Sequence, residues 1–409
     1  MKMGCEYDHK CGKERDGEKQ RGRGGLPLIP MTWSLSCLSA YKHQSQPSQQ
    51  QTTTTTTTPT SSSLVVGIDF GASKTVVSYR QSGERTIYPR PFCLHGSSMI
   101  PTAIAYTSKK PYAIGQLAQK DPNCVYWLKH ILHESCIVDE PDDTMIQGLV
   151  KQARERLPTK QQETPYLVVV DFLGMLLQYF RAELEDFPHL KNLPRVYTFT
   201  IPATWSENTR MTMKKVAHLA GFGHQNAKVC FITEAEAVAV YAANEIGSDM
   251  GQFSLENEGA IVCDCGGSTI DLTAFHVEQT NPSFEYQRLT AYTSKAWGAV
   301  QLQCLAYHRV LQRQTNRSSR REGLRFIDVP FTQWAPGAFP YGPISLMDPG
   351  RVGIPLAVAN EVYKELVTKI VGYIKQQIDC ASVYVGGDLI KKVLLVGGLT
   401  QSPEFSDII

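Results

Sequence analysis

The strongest constraint on the fold is a buried strand that ends in a carboxylate and a glycine turn. Leu64–Phe70 is an apolar run that contains Asp69, and Gly71, Ala72 and Ser73 follow it. Such a strand brings its aspartate to one edge of a sheet, where the small turn residues offer backbone N–H groups to a phosphate. Many buried strands end this way, so one copy only suggests phosphate binding.

A second copy of this design lies about 200 residues further along the chain. The apolar segment 260–263 leads into Asp264, after which come Gly266, Gly267, Ser268, Thr269 and Asp271. Two hairpins of this kind in one chain predict that the phosphates of a nucleotide bind between them, with one hairpin on each side. Asp69 and Asp264 are then expected to hold Mg²⁺ through its water ligands, because this ion keeps much of its hydration shell.

Composition limits the class of protein. The chain has 409 residues, of which 42% are hydrophobic and 20% charged, with a formal charge of +2. These values indicate a soluble globular protein with room for two domains, and they give no reason to expect nucleic acid or a membrane surface as the main partner. No apolar run reaches the roughly 18–20 residues of a membrane span. The 11 cysteines form no CxxC pair, which favours reduced thiols in a cytoplasmic protein.

The first 63 residues differ from the rest. Residues 44–63 form a Gln/Thr/Ser tract with seven consecutive threonines, and residues 1–25 are Gly-rich and charged with both signs. Such sequence cannot bury enough apolar surface to offset its ordering entropy, so we expect disorder over 1–63. The arrangement of charged and apolar residues does not match a secretory signal peptide.

Beyond residue 63 the pattern predicts an α/β fold. Apolar spacing predicts a helix over 166–187, and Ser206 occupies the position of an N-cap before a helix that ends near Gly221. Strands are predicted over 64–70, 75–79, 102–106, 112–114, 196–201, 229–233, 259–264 and 392–396, with further helices over 236–244 and 361–379. Surface loops are predicted over 326–355, and Trp127 and Trp297 are expected to be packing residues.

Five segments together resemble the actin, sugar-kinase and 70-kDa heat-shock superfamily, and within it the heat-shock chaperones. They are GIDFG at 67–71, TIPATW at 200–205, ITEAEA at 232–237, DCGGSTID at 264–271 and LVGGLT at 395–400. These segments are most similar to those of the divergent heat-shock-like proteins that are abundant in fungi and are related to the twelve-type members of this family in animals. The resemblance implies a duplicated ribonuclease-H-like fold with lobe I over 64–250, lobe II over 251–409 and a nucleotide cleft between them.

The resemblance also implies roles for individual residues. Asp69 and Asp264 organise Mg²⁺ and its waters, Glu234 helps to place the attacking water or the metal's hydration shell, and Asp271 is a further acid nearby. Gly71, Ala72 and Ser73 contact the β-phosphate, while Gly266, Gly267, Ser268 and Thr269 cover the γ-phosphate. Gly397 and Gly398 pass beneath the adenosine. Three of these residues have a structural alternative: Glu234 is also of the type favoured at a helix N-terminus, and Asp69 and Asp264 also suit a role that merely caps strand ends.

The chain departs from the family at three positions of the expected site. Gln119 stands where the chaperones place a lysine that positions the reacting phosphate, and Lys120 is one residue off. Ala72 replaces a threonine, and Gln401 replaces an arginine that stacks on adenine. Lys74 is either a phosphate contact or a solvated side chain. Losing one charged phosphate contact reduces hydrolysis more than binding.

The resemblance implies an ATP-binding, chaperone-type protein that uses ATP or ADP with Mg²⁺ and works with client or co-chaperone proteins in a stress response. Hydrolysis is expected to be slow or absent. A pseudo-ATPase that senses nucleotide or acts as a scaffold is the main alternative, and a small-molecule kinase is a weaker one. The family continues beyond the adenosine loop, whereas this sequence ends 11 residues after Gly398, so lobe II is expected to be incomplete.

Overall fold

The computed structural model describes residues 62–83, 89–107, 110–133, 143–224, 227–242, 255–279, 285–302, 305–306, 309, 324–328, 351–385, 387 and 389–401. The predicted disorder over 1–63 lies outside these residues, except at Ser62 and Ser63. Ser63 exchanges hydrogen bonds with Ser82, and Gln81 donates to the Ser62 hydroxyl at 2.7 Å. The backbone pairing at the start of the first sheet therefore already includes Ser63.

The strands, in chain order, are β1 (Leu64–Phe70), β2 (Lys74–Gln81), β3 (Arg90–Pro91), β4 (Ile100–Pro101), β5 (Ile104–Tyr106), β6 (Pro111–Ile114), β7 (Arg195–Ile201), β8 (Lys228–Thr233), β9 (Glu258–Cys265), β10 (Ile270–Gln279), β11 (Glu285–Arg288), β12 (Thr293–Lys295), β13 (Leu324–Asp328), β14 (Arg351–Pro355) and β15 (Ile390–Val396).

The helices are α1 (Gly115–Ala118), α2 (Leu128–Leu132), α3 (Asp143–Glu155), α4 (Thr159–Glu163), α5 (Leu167–Leu184), α6 (Pro188–Lys191), α7 (Glu207–Leu219), α8 (Glu234–Tyr241) and α9 (Leu356–Val385), with a short 3-10 helix over Gly398–Gln401. Most of the predicted helices and strands are confirmed with small changes at their ends. The Ser206 cap is also confirmed, because its hydroxyl accepts from the Thr209 amide at 3.2 Å.

Two mixed sheets share one local plan. In the first sheet, with strand order β3-β2-β1-β7-β8, β1 pairs antiparallel with β2 and parallel with β7. In the second sheet, with order β11-β10-β9-β15, β9 pairs antiparallel with β10 and parallel with β15. Each Asp-Gly turn therefore joins an antiparallel hairpin, and a parallel strand flanks the aspartate in both sheets.

The first sheet packs against α5, whose apolar residues face it at helical spacing. Phe172 and Phe180 of this helix are almost fully buried, and they contact Phe70 and Tyr79 with ring centroids 6.0 and 5.3 Å apart. The second sheet packs against α9. Burying this aromatic and aliphatic surface supplies the main driving force for each half of the fold.

Helix α8 connects the two sheets. It begins directly after β8 of the first sheet, and its apolar residues pack against β9, β10 and β15 of the second. A capping box fixes its start: Thr233 accepts from the Glu236 amide at 3.2 Å, and the Glu236 carboxylate accepts from the Thr233 amide at 3.0 Å. The same carboxylate accepts from the Tyr286 hydroxyl at 2.5 Å, which anchors the helix to β11.

Two predictions on packing and loops have different outcomes. Trp127 and Trp297 are buried as expected, and Cys263 and Cys265 are also buried, with their sulfur atoms 3.7 Å apart. The prediction of loops over 326–355 is wrong at both ends, because β13 and β14 pair in an antiparallel ladder. Backbone pairing overrides the weak apolar pattern there, and residues 329–350 lie outside the described part of the chain. Among the described residues, no helix has the length and apolar character needed to cross a bilayer.

Candidate functional site

The first hairpin turn is a tight loop that only glycine fits at its first position. The Gly71 amide donates to the Lys74 carbonyl at 3.0 Å, and a Cβ on Gly71 would lie 2.5 Å from that oxygen. Thr102 holds the loop from below, because its hydroxyl donates to the Gly71 carbonyl at 2.9 Å and its amide donates to the Ser73 carbonyl at 3.0 Å. The loop is thus fixed from two directions before any ligand binds.

Asp69 lies at the end of β1 beside Thr200 of the parallel strand β7. The Thr200 hydroxyl donates to Asp69 Oδ1 at 2.8 Å. Burial and, to a smaller extent, the nearby Glu234 carboxylate raise the pKa of Asp69 to about 6, against the opposing effects of Lys129 and the Thr200 hydrogen bond. The carboxyl group therefore changes protonation near neutral pH when no cation is bound.

The second hairpin places two carboxylates side by side. Asp264 and Asp271 are register partners on β9 and β10, so both side chains lie on one face of the sheet. The Thr269 hydroxyl donates to Asp271 Oδ2 at 2.6 Å, and the Gly266 amide donates to the Thr269 carbonyl at 2.9 Å. Burial and neighbouring carboxylates raise the pKa of Asp264 well above its usual range, and burial raises that of Asp271 to about 6.

The turn after β15 closes over this hairpin. Gly397 has a φ of +99°, and a Cβ there would lie 2.3 Å from the Cys265 carbonyl oxygen and 2.7 Å from Asp264 Oδ1. Only glycine permits both the conformation and the close approach. Asp264 Oδ1 is buried, and no described residue donates a hydrogen bond to it.

Glu234 forms an ion pair with Lys129, a residue that was not predicted from the sequence to be part of the site. Glu234 is the first residue of α8 and is buried, and Lys129 of α2 donates to its Oε1 at 2.5 Å. Burial opposes the positive charge of Lys129, but Glu234, Asp69 and Asp264 outweigh burial and raise the lysine's pKa. Lys129 thus stays protonated inside a group of carboxylates.

The site carries more negative than positive charge. Among the described residues, the ammonium of Lys129 interacts with four nearby carboxylates, those of Asp69, Glu234, Asp264 and Asp271. Among the described residues, Glu234, Asp264 and Asp271 can place their carboxylate oxygens within 4.8 Å of one another. Oxygen donors, excess negative charge and an unpartnered Asp264 oxygen are the features that a hard divalent cation requires, so the residues present fit Mg²⁺.

The loops of the two sheets face each other at close range. A Cβ on Gly267 would lie 2.7 Å from the Ser73 hydroxyl oxygen, and a Cβ on Gly398 would lie 3.6 Å from Lys74 Nζ. The backbone amides of Ala72, Ser73, Gly267 and Ser268 donate no hydrogen bond within the described part of the chain. The two turns therefore lie close together, and each contributes backbone N–H groups that have no hydrogen-bond partner among the described residues.

The two hairpins were predicted from the sequence, whereas the presence of Lys129 beside them was not. Gln119 and Lys120 are both exposed, whereas the Lys129 side chain is only 12% exposed and lies in the site. The available signal was the lone lysine inside the apolar segment YWLKHIL at 126–132. A lysine in such a segment has to find a buried partner. Thr102 gave no signal, because its contact with the Gly71 loop depends on tertiary structure.

The comparisons with known proteins include a distant relative among the curated proteins. No protein-family model matches the chain. A chaperone protein dnaK from Gracilaria tenuistipitata var. liui is 25% identical to it over 221 residues, which is 52% of this chain and 33% of that protein. The chain thus spans about a third of the length of this curated relative. This similarity supports the resemblance to the 70-kDa heat-shock family in general, but not to one branch of it. The mixed α/β architecture is compatible with an actin-like ATPase fold.

The raised pKa of Asp69 predicts a pH-dependent cost to stability. Below pH 3.8, the pKa of the unfolded state, the Asp69 carboxyl is protonated whether the protein is folded or unfolded. As the pH rises through the folded-state pKa of about 6, the folded protein loses stability, because the folded state disfavours the ionised carboxylate. Asp69→Asn mimics the protonated form and retains an acceptor for Thr200. In a cation-free buffer the variant should match the wild type at pH 4 and be more stable at pH 7 by up to about 3 kcal/mol.

Urea unfolding across this pH range measures the difference between the two proteins. Mg²⁺ at pH 7 should then stabilise the wild type more than the variant. A variant less stable than the wild type at pH 7, or a pH-independent difference, would contradict the raised pKa.

Proposed function

We propose that this chain is an ATP-binding, chaperone-type protein in which two lobes, 64–250 and 251–409, close around a Mg-nucleotide. One observation carries the proposal: the two Asp-Gly hairpins of separate sheets face each other over one buried group of carboxylates with a lysine inside it. Similarity to a dnaK chaperone supports the same class. Interactions with client proteins and co-chaperones are inferred only from this class of protein.

The residues divide into two binding functions. The free amides of Ala72 and Ser73 on one side, and of Gly267 and Ser268 on the other, suit the oxygens of neighbouring phosphates. Glu234, Asp264 and Asp271 would hold Mg²⁺, with Asp69 reached through a water ligand. When bound, this ion neutralises phosphate charge and orients water.

Hydrolysis requires a fixed water and a stabilised transition-state charge. Lys129 Nζ supplies a buried positive charge that its ion pair with Glu234 holds in place. Asp69 Oδ1 accepts from Thr200, so Oδ2 is the oxygen left to accept a proton from water, and a pKa of about 6 suits that role. The position of Lys129 favours a protein that hydrolyses ATP slowly. Ala72, Gln119 and Gln401 replace a threonine, a lysine and an arginine of the family, and they favour a pseudo-ATPase that binds ATP without hydrolysing it.

ATP binding and phosphate release by the full chain test the proposal together. Calorimetric titration with and without Mg²⁺ should give saturable, Mg-dependent binding, and Asp264→Ala should abolish the Mg dependence because it removes the cation's central ligand. Phosphate release above background would select the ATPase, and binding without release would select the pseudo-ATPase. Failure to bind at millimolar ATP would overturn both.

Lys129 gives a sharper test of turnover. Lys129→Gln keeps a hydrogen-bond donor to Glu234 but removes the charge, so phosphate release should fall about 100-fold while ATP affinity changes less than about tenfold. The exposed Lys120→Gln is the matched control and should leave both values unchanged. Equal effects of the two substitutions would show that Lys129 has no part in turnover, and circular dichroism checks that both variants fold.

A further inference from the structure

A cavity lined by basic residues lies at the opposite end of the first sheet from the carboxylate site. The cavity has a volume of about 380 Å³ and is lined by the C-terminal end of α5, the end of the short helix α6 and the start of β7. Its lining includes Arg181, Lys191, Asn192 and Arg195. Along β7, Arg195 lies five residues before Thr200, which corresponds to roughly 17 Å from the carboxylate group.

The two arginines are held in place with most of their donors unused. Arg181 Nη2 donates to the Gly221 carbonyl at 3.1 Å, and Arg195 Nη2 donates to the Lys191 carbonyl at 2.7 Å. The Nε atoms of both are buried and have no hydrogen-bond partner among the described residues. A guanidinium has five N–H donors, so each side chain keeps several for a ligand.

The charges of this cavity are not balanced. Lys191 pairs with Glu185 at the rim. Within the described part of the chain, neither Arg181 nor Arg195 has a carboxylate partner. Both lie near the buried Tyr197 hydroxyl, since their charges lower its pKa against the larger effect of burial, which raises it. Two guanidiniums converging on a partly buried cavity are costly unless an anion compensates them.

We propose that this cavity binds a small phosphate-bearing anion. Arginine is always charged and its planar fork matches two phosphate oxygens at once, which explains why two arginines with free donors favour a phosphate group. Asn192 adds a side-chain amide at the rim. The cavity is at the small end of ligand pockets, so it accommodates a phosphate ion or a short phosphate ester. The site is separate from the proposed nucleotide cleft and does not depend on it.

Phosphate titration of the full chain in EDTA at constant ionic strength tests this site. Inorganic phosphate and glycerol phosphate are titrated in parallel by calorimetry, with chloride as the matched anion. Saturable binding of either phosphate probe, with no response to chloride, supports the proposal. Tighter binding of the ester assigns the site to a phosphate ester, and equal affinities assign it to the free ion.

Variants decide whether the binding belongs to this cavity. Arg195→Gln and Arg181→Gln should each weaken phosphate binding at least tenfold, whereas the exposed Lys160→Gln and the cleft variant Asp264→Ala should leave it unchanged. The rim variant Lys191→Gln, which leaves Glu185 unpaired without disturbing buried groups, should weaken it severalfold even if the arginine variants fail to fold. Absence of saturable binding, or binding that Lys191→Gln does not change, overturns the proposal.

Discussion

The site depends on the ion pair between Lys129 and Glu234. Without the lysine, four carboxylates would share a buried space, and their mutual repulsion would oppose closing the two sheets on each other. The ammonium offsets part of that repulsion and leaves a net negative site. Removing one partner of a buried pair typically costs about 3–5 kcal/mol. The remaining surplus of negative charge suits a divalent cation.

Backbone geometry brings these charges together. Helix α8 starts at the edge of the first sheet and packs on the second, so Glu234 reaches the aspartates of β9 and β10. Gly71 and Gly397 remove side-chain volume at the two points where the chain approaches most closely. Folding therefore has to be complete in both sheets before the site exists, so a ligand bound there would stabilise both sheets together.

The sequence predicted the parts of this arrangement that local patterns encode. Asp69 and Asp264 were recognisable because each ends an apolar strand before a glycine turn, and α5 was recognisable from its 3.6-residue spacing. Lys129 and Thr102 were not, because their roles depend on contacts between segments far apart in the chain. The β13–β14 pairing was missed for the same reason, since weakly patterned strands gain their stability from each other. The Arg181–Arg195 cavity likewise joins a helix and a strand that no local motif connects.

Binding of Mn²⁺ in place of Mg²⁺ tests the central claim that the two hairpins form one site for a cation and a nucleotide. Electron paramagnetic resonance of the full chain reports bound Mn²⁺ directly. The account predicts that ATP increases the bound fraction and that Asp264→Asn abolishes this increase. Mn²⁺ binding that is the same with and without ATP, or that Asp264→Asn leaves unchanged, would contradict it.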